Sequence, residues 1–141
     1  MTLARIIFLG VWLVLACVHG HAQDNATVVL IGHSTVPRLS AATAQRLFTG
    51  RAVEVGGVPV VVVNAASGTV LRERFLSSVM DMDDARYIAY WTVRRHVGKG
   101  TPPRELAAAA DIIGFVQNTP GGVGYVLASD LKPGLNVLFR P

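Results

Sequence analysis

Val58-Pro59-Val60-Val61-Val62-Val63 is apolar at every position, and Ser67-Gly68-Thr69 follows only four residues later. A strand that alternates apolar and polar residues buries one face. A strand apolar at consecutive positions needs cover on both. The run therefore predicts an interior strand with helices on either side of its sheet, and Pro59 is tolerable at the strand entrance.

The flanking sequence can supply those layers. Thr27-Val28-Val29-Leu30-Ile31, stopped by Gly32, has the form of a short buried strand. Ser40 can cap a helix through Phe48, with Gly50 placed to end it and Gly56-Gly57 making the next turn. A helix over 69–80 would turn Val70, Phe75, Leu76 and Val79 inward and Arg72, Glu73 and Ser77 outward. Asp83 or Asp84 can cap a helix running to Val97, which Gly98 to Pro103 breaks, and residues 105–116 predict a further Ala-rich helix. Residues 123–127 and 135–139 complete the set as late strands. Strands before, between and after helices make an α/β sandwich.

The chain has 141 residues, the size of one domain. Its first stretch should stand outside the fold. Arg5 precedes a nearly unbroken apolar run from Ile6 to Val18, and Gly20-His21-Ala22 offers small residues where a signal peptidase cuts. Residues 1–22 thus read as a secretory signal peptide, shorter than the ~20 apolar residues that span a membrane. The domain then covers 23–141, exported to the periplasm. A lipid anchor on Cys17, the sole cysteine, is the alternative.

Removing residues 1–22 takes away Arg5 alone among charged residues. The 13 Lys+Arg and 9 Asp+Glu become 12 and 9, a net charge of +3. No basic run or aromatic ladder accompanies it, which argues against a nucleic-acid binder. With no thiol left, no histidine cluster and no nucleophile–base or paired-carboxylate spacing, neither a metal site nor an enzyme is expected, and no cofactor. Asp81-Met82-Asp83-Asp84 fails the calcium-loop pattern, because Arg86 stands where glycine is required.

Ser67-Gly68-Thr69 is the strongest candidate for a binding site. The first N–H groups of a helix lack internal acceptors and lie at its positive end, so an oxyanion can sit there. Serine and threonine add hydroxyl donors, and Gly68 permits close approach to the backbone. The competing reading is an ordinary N-cap. Arg72, one turn on, could lean back to clamp an anion or could stand in solvent paired with a nearby carboxylate. Ser34 and Thr35 also follow a strand, and either extend the site or form a polar loop.

Leu47-Phe48-Thr49-Gly50-Arg51, Ser67-Gly68-Thr69 with Phe75 beyond, Tyr90-Trp91, Gly98 to Pro103, and Thr119-Pro120-Gly121-Gly122-Val123-Gly124-Tyr125-Val126 occur in that order. In this order the chain resembles the phosphate-binding branch of the periplasmic substrate-binding proteins, the soluble receptors of phosphate ABC transporters. The resemblance implies a single-lobe, periplasmic-binding-protein-like three-layer sandwich, with a mixed sheet flanked by helices. It also implies that Ser67, Gly68 and Thr69 donate to phosphate. Two departures stand out: the family's arginine four residues before that serine is Val63 here, and the length suffices for one lobe only.

The expected function is non-catalytic binding of phosphate or a similar oxyanion, in the millimolar range of ~4 kcal/mol because a lone lobe cannot enclose its ligand. The alternative is an interaction module that has lost its ligand and serves a cell-envelope complex. Partners expected beside the anion are an envelope or membrane protein, or a second copy in a homodimer.

Overall fold

The computed structural model describes residues 25–141. The leader assigned to residues 1–22 and Cys17 lie outside them. Among the described residues there are seven strands: β1 (Val28–Gly32), β2 (Glu54–Val55), β3 (Val58–Pro59), β4 (Val61–Ala65), β5 (Arg104–Leu106), β6 (Gly122–Leu127) and β7 (Asn136–Phe139). The helices are α1 (Ala41–Phe48), α2 (Val70–Phe75), α3 (Asp84–His96) and α4 (Ala109–Asn118). A π turn, Leu76–Met80, extends α2, and a 3-10 turn, Ala128–Asp130, follows β6.

Five strands form one mixed sheet in the order β5-β4-β6-β1-β7. β4 runs parallel to both β5 and β6, whereas β1 is antiparallel to β6 and β7. The sheet has helices on both sides, and two adjacent residues of β6 show why. Tyr125 stacks on Phe75 of α2 at 3.9 Å between centroids and lies 5.7 Å from Phe48 of α1. Gly124, one residue earlier and so on the opposite face, lies beneath Ile112 and Val116 of α4. The expected three-layer α/β sandwich with a mixed sheet is the architecture observed.

Three expectations are corrected in detail. The run 58–63 is not one strand. Val58–Pro59 pairs with β2 in a hairpin turned by Gly56-Gly57, and the Val60 N–H goes to Val53 rather than to the main sheet. Only the second half of β4, Val63 to Ala65, is buried on both faces. Residues 105–116 are not one helix either: Arg104–Leu106 pairs with Val63–Ala65 as an edge strand before α4 begins. Three residues are too few to show alternation, and strand pairing overrides the helical bias of the alanines.

The third correction concerns the predicted helix over 69–80. Phe75, Leu76 and Val79 are buried as expected, but Val70 is 58 % exposed and Arg72 only 2 %. The guanidinium has found carboxylates inside the fold, and that pulls its side chain in. Asp83 caps α3 by accepting from the Arg86 N–H at 2.8 Å, and Ser40 caps α1 from the Thr43 N–H at 3.1 Å.

The turn before β6 is the tightest point of the sheet. Gly121 has φ 75°, and a Cβ there would lie 2.2 Å from the Pro59 carbonyl oxygen, while its own carbonyl accepts from Val61 N–H at 2.9 Å. Both the backbone conformation and the space exclude a side chain. Gly121→Ala should therefore destabilise by about 3 kcal/mol or more, read as a lower urea midpoint; an unchanged midpoint would contradict this account.

Candidate functional site

At the carboxyl end of β4 the chain turns through Ala66, Ser67 and Gly68 into α2. Gly68, at φ 81°, makes that turn with open space where a Cβ would stand. Thr69 is the N-cap. Its hydroxyl donates to the Ala66 carbonyl at 2.7 Å and accepts from the Arg72 N–H at 3.2 Å. Both capacities are spent within the protein, so the Thr69 hydroxyl serves the helix and has no donor left for a guest.

Arg72 is the centre of the site. Its Nε and Nη2 lie 3.0 and 2.8 Å from Asp84 Oδ1, at the first residue of α3. Its Nη1 donates to Glu105 Oε1 on β5 at 2.8 Å and to the Ala65 carbonyl at 3.1 Å. The expectation of an outward-facing Arg72 paired with its sequence neighbours is overturned, because these partners come from two other elements. Ser67 joins the same cluster: its hydroxyl donates to Asp84 Oδ2 and its N–H reaches Glu105 Oε2 at 3.4 Å. By contrast, the N–H groups of Gly68, Val70 and Leu71 find no acceptor among the described residues.

The cluster rests on a buried polar layer. Tyr87 of α3 lies under the guanidinium, with the Arg72 Cζ 5.0 Å from its ring centroid. The Tyr87 hydroxyl donates to the Phe48 carbonyl at 2.7 Å and accepts from Asn64 Nδ2 at 3.1 Å. The Tyr125 hydroxyl donates to Asn64 Oδ1 at 3.2 Å and accepts from the Ala65 N–H at 3.0 Å. Every polar atom of this layer is paired, as a buried network requires. Burial raises the pKa of both phenols, against the opposing pull of the Asn64 hydrogen bond on Tyr87 and of the Ala65 hydrogen bond on Tyr125.

Ser34 and Thr35 do not belong to this cluster. β1 runs antiparallel to β6 and β6 parallel to β4, so the carboxyl end of β1 lies on the opposite edge of the sheet from Ser67. There the Thr35 hydroxyl accepts from the Gly121 N–H at 3.3 Å and lies 2.9 Å from His33 Nδ1. Ser34 is exposed beside Gln117 and Asn136. The residues sequence reasoning left out are Asp84 as an anchor, Glu105, Asn64, Tyr87 and Tyr125. Asn64 carried one signal, since it is the polar residue that interrupts the apolar run of 58–63 before Ala65.

Two outcomes follow from this geometry. Arg72→Met would leave the Asp84 carboxylate, 21 % exposed, without its partner. It should cost about 3 kcal/mol in urea denaturation, with Arg72→Lys intermediate because an ammonium cannot span both carboxylates. The second outcome is alkaline. Both phenols keep their protons in the folded state past the ordinary value of 10.0. The folded chain then binds more protons than the unfolded chain above that pH. Their contribution is complete below pH 10.0 and is lost as the pH rises beyond it, by up to ~1.4 kcal/mol per pH unit for each phenol. Urea midpoints between about pH 9 and pH 11 should show the fall, and Tyr125→Phe should flatten it.

No family model and no curated protein matches the sequence. Solved structures do match its fold. A candidate phosphate ABC transporter substrate-binding protein from Clostridium perfringens, solved with bound phosphate, superposes with a TM-score of 0.62 at 18% identity over 79% of this chain and 44% of that one. An ABC-type phosphate transport receptor from Vibrio cholerae gives 0.61 at 14% identity, over 79% and 45%. The chain spans less than half the length of either. It has the fold of phosphate-type periplasmic substrate-binding proteins, over one part of their length.

Proposed function

We propose that this chain is an exported, non-catalytic binding protein for a small oxyanion of the phosphate class, taken at the turn from β4 into α2. One observation carries the reading. A guanidinium only 2 % exposed gathers carboxylate oxygens at this turn together with the Ser67 hydroxyl and amide. Such a donor set selects anionic oxygen, whichever molecule brings it. The N–H groups of Gly68, Val70 and Leu71, without an acceptor among the described residues, add donors beside it. The fold neighbour solved with bound phosphate supports the same ligand class, and the apolar leader read at residues 1–22 supports a periplasmic location.

Binding should be weak. The donors already serve Asp84 and Glu105, so a guest must displace protein oxygens rather than water. A dissociation constant near 1 mM corresponds to ~4 kcal/mol. About 20 mM phosphate would then stabilise the folded state by about 1.8 kcal/mol and raise the melting temperature by several degrees. Arg72→Lys, whose ammonium cannot hold Asp84 and a guest anion together, should reduce that shift. No shift in the unaltered protein sinks the reading.

A second reading is favoured by Val63, which is fully buried where the resemblance places an anion-clamping arginine. In that reading the lobe is an interaction module of a cell-envelope complex and the ion cluster is only a brace. Crosslinking to one defined envelope protein, unaffected by phosphate or by Arg72→Lys, would favour it.

A further inference from the structure

The two carboxylates on Arg72 are held very differently, and the difference assigns them different roles. Asp84 is tied three ways: to Arg72 Nε, to Arg72 Nη2 and to the Ser67 hydroxyl. It begins α3, next to the Asp83 cap, and is 21 % exposed. Glu105 is 45 % exposed and sits on β5, a three-residue edge strand with a neighbour on one side only. Its two oxygens divide between Arg72 Nη1 at 2.8 Å and the Ser67 N–H at 3.4 Å. One carboxylate thus bridges a guanidinium and a backbone amide at the mouth of the site, as a bound oxyanion would.

We infer that Glu105 is a built-in competitor for the oxyanion site, its carboxylate filling the position that a small anion takes when β5 releases it. This deepens the proposed function and rests on it. Asp84 anchors Arg72 in both states, so the guanidinium stays in place when Glu105 leaves. Release exposes Nη1 and the Ser67 N–H together, and the incoming anion takes up both. Moving Glu105 breaks one hydrogen-bonded ion pair near solvent, whereas moving Asp84 would strand a buried cation. Affinity is thereby set by a side chain that competes for the ligand's donors.

Calorimetric titration of phosphate into the protein, Glu105→Gln and Glu73→Gln tests the inference. Glu73 is exposed on α2 and makes no ion pair among the described residues, so its variant removes the same charge without the contact. Glu105→Gln should tighten phosphate about tenfold and Glu73→Gln less than twofold. Equal tightening in both would reduce the effect to net charge and overturn the competitor role. Binding by the unaltered protein that Glu105→Gln leaves unchanged or weakens would overturn it too, with the binding reading intact. No binding by any of the three overturns both. A readout independent of the variants is the Glu105 carboxyl carbon resonance in the unaltered protein. It should move with phosphate saturation, and a fixed resonance at saturation counts against displacement.

Discussion

A buried guanidinium cannot shed its charge, so everything around Arg72 is arranged to answer it. A guanidinium is not deprotonated in a protein, and burying it without partners would cost several kcal/mol. The answer comes from three directions: Asp84 at the start of α3, Glu105 on β5 and the Ala65 carbonyl at the end of β4. These contacts fix the angle between α2 and α3 and hold a very short edge strand in the sheet. A lysine could reach one of these acceptors. Only a planar fork meets two carboxylates and a carbonyl from one position.

The layer beneath makes that arrangement rigid. Phe48, Phe75 and Tyr125 form one aromatic cluster, and the hydroxyls of Tyr87 and Tyr125 reach out of the apolar core to Asn64. Asn64 therefore links β4, β6 and α3 in a single closed network. Because each atom is satisfied, a shift of any member would strand a buried donor or acceptor, at a cost of about 1–3 kcal/mol. The cation above inherits its position from this floor, which is why the Arg72 site is better fixed than an open turn would be.

The sequence was readable where the signal was local. Ser40, Asp83 and Thr69 stand one residue before their helices, and the apolar runs of β1 and β6 announce burial within five or six residues. What escaped was non-local. Asp84 and Glu105 meet Arg72 from 12 and 33 residues away, and no spacing rule pairs them. Helical periodicity placed Arg72 on the solvent side, since an arginine is rarely buried without partners. β5 was hidden by its length, and the separation of Ser34 from Ser67 depends on β1 running against its neighbour. Strand direction is a property of the whole sheet.

On the proposed reading, the same ion cluster would supply anion chemistry to a site that stands open. In open water an exposed ion pair gives only ~0–1 kcal/mol, so a bare cationic shelf would hold little and would strain its own fold. Folding a carboxylate onto the shelf removes that strain, and on the proposed reading the stabilising contact and the ligand's contact would then be the same contact. Each gain in intramolecular pairing would then be a loss in affinity, with the balance resting on how firmly β5 is held. With a single strand neighbour and a half-exposed glutamate, β5 is the element where that balance would be moved without disturbing the Asn64 network below.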